Sequence, residues 1–205
     1  MPRETDRAQS AAIVTGRKGR PVVDRRVALL RGINVGTAKR IAMAELRRLV
    51  EELGYTDVRT LLNSGNVVFT VPGGSSGDPA ARIEKAIEAR HGFASRVTLL
   101  TGRDVIAAVA ENPLASVAKD PSRLLVMACP DPKALARLKA LLDRRWTPEA
   151  VALGRRVAYL WCAAGLHDSP LWAAAGRALG DSGTARNMAT MTKLAGLVEG
   201  AGADI

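Results

Sequence analysis

The sequence predicts an α/β fold of two tandem ferredoxin-like units, each a βαββαβ arrangement with an antiparallel sheet, followed by an added C-terminal helix. The chain has 205 residues, 47% of them hydrophobic, which is enough to form one core or two small ones. Short β-branched runs alternate with helical stripes of apolar residues, and the order of elements begins again after residue 120. These observations together favour the tandem arrangement.

The first unit is predicted to span residues 25–101. It opens with the strand "RVALLRGI", and "MAELRRLVEEL" then carries its apolar residues at helical spacing. "VRTLL" and "NVVFTV" are two strands joined through Ser64 and Gly65, which indicates a hairpin. A second helix over 78–92 begins with an Asp-Pro pair, and "RVTLL" completes the unit as its fourth strand.

Residues 102–120 are predicted to form a connecting helix and linker. Thr101 and Asp104 have the spacing of a capping box, in which each side chain accepts from the backbone of the other. The pair Asn112 and Pro113 is expected to end this helix.

The second unit is predicted over residues 121–205. "RLLVMAC" is its first strand, and a helix from Asp131 carries a leucine stripe at positions 135, 138, 141 and 142. "AVAL" and "RVAYLWC" form a hairpin, and Ser169 opens the next helix. "GTAR" is read as a short last strand, after which Asn187 caps the final helix.

Composition limits the classes of protein. Residues 1–24 are polar, basic and aperiodic, so they are expected to form a disordered tail and not a secretory signal. The alternative is upstream sequence included through the choice of start codon. No apolar run approaches the length of a membrane span. Cys129 and Cys162 form no metal-ligand spacing and no cofactor motif is present, which favours a reduced, cytoplasmic protein without a metal or cofactor. The two thiols are expected to lie at opposite edges of the second sheet, unbonded.

The formal net charge is +10, which favours acidic partners such as nucleic acid or phosphorylated metabolites. The alternative is a solvated basic surface with no such role. Aromatic residues are 3% of the chain and follow no RNA-binding pattern, so stacking of bases on a sheet is not favoured.

Two polar clusters beside glycine turns mark a candidate site. In this topology the end of the first strand, the first hairpin and the turn before the last strand lie at one edge. The residues expected there, as ligands of an anion, are Arg31, Gly32, Asn34, Asn63, Ser64, Asn66 and Arg186. Turn chemistry also accounts for the glycines and is the favoured explanation of Asn63 and Asn66, and Asn187 is better explained as a helix cap.

The stretches "ALLRGINVG", "MAELRRLVEELGYTDVRTLLNSGNVVF" and "TARN" resemble the bacterial domain-of-unknown-function family 1697 over roughly residues 26–199. The resemblance implies a tandem ferredoxin-like fold in a cytoplasmic bacterial protein and brings no activity with it. Met188 and Ala189 stand where the family usually has Trp and Asn after "TARN".

Three functions remain open at this point. The favoured one is a binding module for an anionic small molecule or a phosphate-bearing partner, held at the edge that carries Arg31 and Asn63. The alternatives are an enzyme whose groups converge only in three dimensions, and a nucleic-acid-binding protein. The sequence sets neither the reaction, if any, nor the oligomeric state.

Overall fold

The computed structural model describes residues 24–200, in which the chain forms two four-stranded antiparallel sheets and six α-helices. The tandem ferredoxin-like fold predicted from the sequence is therefore confirmed. The tail expected over residues 1–24 lies outside the described residues except for Asp24, whose carbonyl accepts from the amide of Val71 at 3.0 Å. Within residues 24–200, no helix is long and apolar enough to cross a membrane.

The first sheet has the strand order β2-β3-β1-β4. Its strands are β1 (Arg25–Leu30), β2 (Thr56–Leu61), β3 (Asn66–Thr70) and β4 (Val97–Thr101). One face is covered by helices α1 (Met43–Glu52) and α2 (Pro79–His91), which bury their apolar stripes against it. The Asp78 side chain accepts from the amide of Ala80, so the predicted N-cap of α2 is confirmed.

The second sheet has the equivalent order, β6-β7-β5-β8. Its strands are β5 (Leu124–Ala128), β6 (Ala150–Leu153), β7 (Val157–Trp161) and β8 (Thr184–Asn187). Its outer face is covered by α4 (Pro132–Arg137) and α5 (Pro170–Leu179). Cys129 and Cys162 directly follow β5 and β7 and are buried and unbonded to each other, as predicted.

The leucine stripe of the second unit does not form one helix. Helix α4 ends at Arg137, and a 3-10 turn follows over Lys139–Leu141. In a 3-10 turn residues three apart share a face, so Leu138 and Leu141 are both buried while Leu142 points outward, 48% exposed. The prediction of a continuous helix with Leu142 on its apolar face is wrong for this reason.

Helices α3 (Gly102–Ala110) and α6 (Met188–Gly200) form a layer between the two sheets. In β1, Val27 and Leu29 face this middle layer, whereas Ala28 and Leu30 face α1 and α2. The inner face of the second sheet packs against the same two helices, so both units share one core. The capping box of Thr101 and Asp104 that opens α3 is confirmed.

Candidate functional site

The loop after β1 and the β2–β3 hairpin meet at one edge of the first sheet. The amide of Leu30 donates to the carbonyl of Gly65 at 2.8 Å. Farther along, Nδ2 of Asn34 donates to the carbonyl of Asn63 at 2.8 Å and to that of Ile41 at 2.9 Å. The two polar stretches that the sequence singled out are thus in direct contact, and the Asn34 amide holds them together.

Arg186 on β8 reaches across from the second unit into this edge. Its Nη2 donates to the carbonyls of Leu30 at 2.7 Å and Ser64 at 2.8 Å, and its Nε donates to Oδ1 of Asn66. Its Nη1 donates to Oγ1 of Thr184 at 3.0 Å. Burial lowers the pKa of the guanidinium to about 10, so the side chain is still charged at neutral pH.

The amides and hydroxyl of the hairpin are also used within the protein. Asn66 is buried, and its Nδ2 donates to the carbonyl of Leu61 at 2.8 Å and to Oγ of Ser64 at 3.0 Å. Because these groups satisfy one another and Arg186, the geometry is that of a structural brace between the two units. Asn34 uses its amide to hold the loop after β1 to the hairpin within the first unit, so this part of the predicted ligand cluster is also better explained as structure.

Arg31 points away from the brace, toward the turn that precedes β8. Its Nη1 donates to the carbonyl of Gly183 at 2.7 Å, and its Nη2 lies 3.5 Å from Oδ1 of Asp181. Gly183 has φ +115, and a Cβ there would lie 2.8 Å from the carbonyl oxygen of Ala128. The glycine therefore lets the turn come close enough to β5 for its carbonyl to receive Arg31.

A pocket of about 330 Å³ opens beside Arg31, between the first unit's loop and the second unit's outer face. Its walls come from the loop after β1, strands β5 and β8, the loop before α5, and α5 itself. The lining residues are Arg31, Gly32, Val35, Leu125, Met127, Leu166, Trp172, Gly176, Leu179, Gly180, Thr184 and Ala185. The volume is at the small end of the range typical of ligand pockets.

The lining is mostly apolar, and its polar side chains are Arg31 at the mouth and the buried Thr184. Among the described residues that line it, Arg31 carries the one charge, and its side chain is 40% exposed. The indole of Trp172 and the side chain of Leu179 come from α5. Gly176 lies between them on the helix, and a Cβ there would meet no atom within 4 Å. An apolar cavity with one cation at its entrance suits a small amphipathic anion.

The predicted ligand residues therefore divide into two groups. Arg31 and Gly32 line the pocket, whereas Asn66 and Arg186 belong to the brace. Asn34 holds the loop after β1 to the hairpin. The exposed side chains of Asn63 and Ser64 lie on the hairpin, outside the lining of the pocket.

The walls supplied by α5 were missed in the sequence because an apolar helical stripe is read as core. Gly176 is the one signal available, since an interior helical glycine costs about 1 kcal/mol relative to alanine and so suggests a local reason for its presence.

The fold and site define a two-unit ferredoxin-like α/β protein with a small apolar pocket between its units. The chain belongs to a family of proteins of unknown function, DUF1697, whose model matches residues 23–159. That match ends within β7, short of the residues up to 199 over which the sequence resemblance was expected.

A solved structure of similar fold is that of the conserved bacterial protein SP0830 from Streptococcus pneumoniae. It is 24% identical in sequence, with a TM-score of 0.64, and the likeness covers 86% of this chain and 99% of that one. At this level of identity the likeness establishes the fold alone. No curated protein matches the sequence.

Proposed function

We propose that this protein is a binding module for a small organic anion, held in the pocket beside Arg31. The observation that supports it best is the pairing of one arginine with an otherwise apolar cavity of about 330 Å³. A guanidinium offers five donors in a fixed fork that matches an anionic group. An apolar cavity adds the burial of a ligand's body to that one polar contact.

The donors of Arg31 are only partly used. Among the described residues, the one hydrogen bond of its guanidinium runs from Nη1 to the carbonyl of Gly183. The contact with Asp181 is an ion pair at 3.5 Å between side chains that are 40% and 90% exposed. Exposed pairs of this kind contribute between about 0 and 1 kcal/mol, so a ligand anion competes for the guanidinium at little cost.

The surroundings favour binding over the two alternatives. Both faces of each sheet are covered by helices, and Tyr55 and Phe69 are buried in the first core, so stacking of nucleic-acid bases on an open sheet has no surface to use. Within the described lining of the pocket, Arg31 is the one titratable side chain. A general acid or base for catalysis would have to come from another part of the chain.

Trp172 supplies a direct test, because it lines the pocket. Tryptophan fluorescence and melting temperature should be followed while a panel of small organic and inorganic anions is titrated into the protein. A ligand that binds only the native state raises the melting temperature by mass action. We expect at least one anion to change both signals, and Trp172→Phe to remove the fluorescence change while the thermal shift remains.

Two variants locate the binding. Gly176→Leu should place a side chain in the pocket, since Gly176 lines it and a Cβ there meets no atom within 4 Å, and should abolish the shift while Arg31 stays intact. Arg31→Gln should weaken binding at least tenfold, whereas Arg145→Gln, an equal charge change on an exposed residue outside the pocket, should not. A thermal shift of equal size in wild type and Gly176→Leu would contradict the proposed site.

A further inference from the structure

The next inference rests on the proposed function and specifies its ligand. We propose that the pocket takes a monocarboxylate with an apolar body, whose carboxylate replaces that of Asp181 on Arg31. Asp181 is then a competitor built into the site, and its release accompanies ligand binding.

The charge of the site limits the charge of the ligand. Arg31 is the one charged residue in the described lining, so a single negative charge is neutralised and a second one is not. The carboxyl end of α5, at Leu179 and Gly180, also lines the pocket. Because a helix C-terminus carries partial negative charge, it disfavours a dianion such as a phosphate monoester at the same place.

Asp181 marks where a carboxylate sits on the guanidinium. Its Oδ1 lies 3.5 Å from Nη2 of Arg31, while Nη1 is taken by the carbonyl of Gly183. Asp181 follows directly after the end of α5, and its side chain is 90% exposed, so it gains little from burial. A ligand carboxylate with a buried apolar body gains contacts that the aspartate lacks, so it displaces the aspartate.

The apolar body has a defined place. Leu125 and Met127 of β5 and Leu179 of α5 supply the inner wall, and Trp172 lies alongside. Val35, on the loop next to Arg31, lines the pocket while being 73% exposed. An apolar ligand in the pocket would cover part of this side chain and gain from its burial.

The test compares three head groups on one apolar chain in the full-length protein. Octanoate, octan-1-ol and octyl phosphate are titrated below their aggregation concentrations, together with inorganic phosphate, and dissociation constants are read from tryptophan fluorescence and calorimetry. We expect octanoate to bind at least tenfold more tightly than octan-1-ol or octyl phosphate. Gly176→Leu should remove this binding.

Asp181→Asn tests the competition. We expect octanoate to bind this variant about two- to five-fold more tightly than wild type, the upper part of the range for the loss of an exposed ion pair. Asp143→Asn makes the same charge change on an exposed residue outside the pocket and should leave the dissociation constant unchanged. Equal affinity of wild type and Asp181→Asn, or an equal gain in both variants, would overturn the role of Asp181.

The outcomes separate this inference from the proposed function. If octyl phosphate or inorganic phosphate binds more tightly than octanoate, and Gly176→Leu abolishes that binding, the anion-binding function stands and the monocarboxylate inference is wrong. If no anion of any class binds, the proposed function fails and this inference fails with it.

Discussion

Arg31 and Arg186 lie at the same edge of the first sheet, but their surroundings give the two arginines different roles. Arg186 is largely buried and donates to backbone and side-chain oxygens of both units, with no carboxylate among its hydrogen-bond partners in the described residues. Arg31 is half exposed and keeps donors that face the pocket. A buried cation surrounded by neutral acceptors stabilises only while all its donors are used, which makes Arg186 sensitive to small changes.

Arg186→Lys is expected to lower the free energy of unfolding by about 2–4 kcal/mol. A lysine retains the charge but cannot supply the fork that reaches Leu30, Ser64 and Asn66 together, so buried acceptors are left unpaired. Urea unfolding followed by circular dichroism measures the loss. Arg145→Lys, on an exposed side chain, should change stability by less than about 0.5 kcal/mol. A loss below about 1 kcal/mol in Arg186→Lys would contradict the brace.

A buried thiol and a buried phenol predict that the free energy of unfolding decreases at alkaline pH. Burial raises the pKa of the Cys129 thiol to about 11 and that of the Tyr159 hydroxyl to about 12. Above about pH 9 the unfolded thiol loses its proton while the native one keeps it, so the native state binds more protons and the free energy of unfolding falls as pH rises.

Between pH 8 and pH 10 the free energy of unfolding should therefore fall, with about 1 kcal/mol of the decline due to Cys129. Urea unfolding at the two pH values measures this decline. It should be smaller by that amount in Cys129→Ala, because this variant has no thiol at the position to titrate. A decline of the same size in the variant would assign the effect to other groups.

At the scale of elements, local chemistry predicted most of the fold. The Asp-Pro start of α2 and the capping box of α3 depend on neighbours within three residues, so the sequence contains all the information they need. The 3-10 turn over Lys139–Leu141 depends on how leucines pack against the second sheet, which periodicity alone does not specify. The contact of α3 with α6 is likewise set by tertiary packing.

Two helical glycines provide a matched test of that packing. A Cβ at Gly102, the first residue of α3, would lie 2.6 Å from Cγ1 of Val198 on α6, whereas a Cβ at Gly176 meets nothing within 4 Å. Because valine is stiff at χ1, Gly102→Ala should force the helices apart and cost about 1–3 kcal/mol.

Gly176→Ala should instead raise the free energy of unfolding by about 0.5–1 kcal/mol through helix propensity. Melting temperatures and urea midpoints of the two variants give the comparison. If both variants are stabilised, the close contact between α3 and α6 does not constrain the fold.

At the scale of the whole molecule, the candidate site lies between units, and this explains how much of it the sequence could predict. Arg31 stood out because a charge within an apolar stretch requires a partner, whereas Arg186 was singled out by its place in the turn before the last strand. Topology then placed both at one edge. The walls from α5 could not be found in this way, since Trp172 and Leu179 follow an ordinary apolar stripe and meet Arg31 only when the two units dock.

The shared core predicts that the two units unfold together. Val27 and Leu29 of the first sheet and Leu124 and Val126 of the second pack on the same middle layer. If either unit opened alone, the inner face of the other would be exposed to water, at roughly 25 cal/mol per Å² of apolar surface. A single cooperative transition is therefore the expected behaviour for residues 24–200.

The distribution of tryptophan makes this testable. All three tryptophans of the chain, Trp146, Trp161 and Trp172, lie in the second unit, so their fluorescence reports that unit alone. Ile83→Ala removes a fully buried side chain from the outer core of the first unit and should cost about 2–5 kcal/mol. In a cooperative molecule the urea midpoint followed by tryptophan fluorescence shifts as far as the midpoint followed by far-ultraviolet circular dichroism.

Glu88→Ala is the control, because it changes an exposed residue on the same helix, and it should shift neither midpoint. If Ile83→Ala moves the circular dichroism transition and leaves the tryptophan transition in place, the units unfold independently and the middle layer does not couple them.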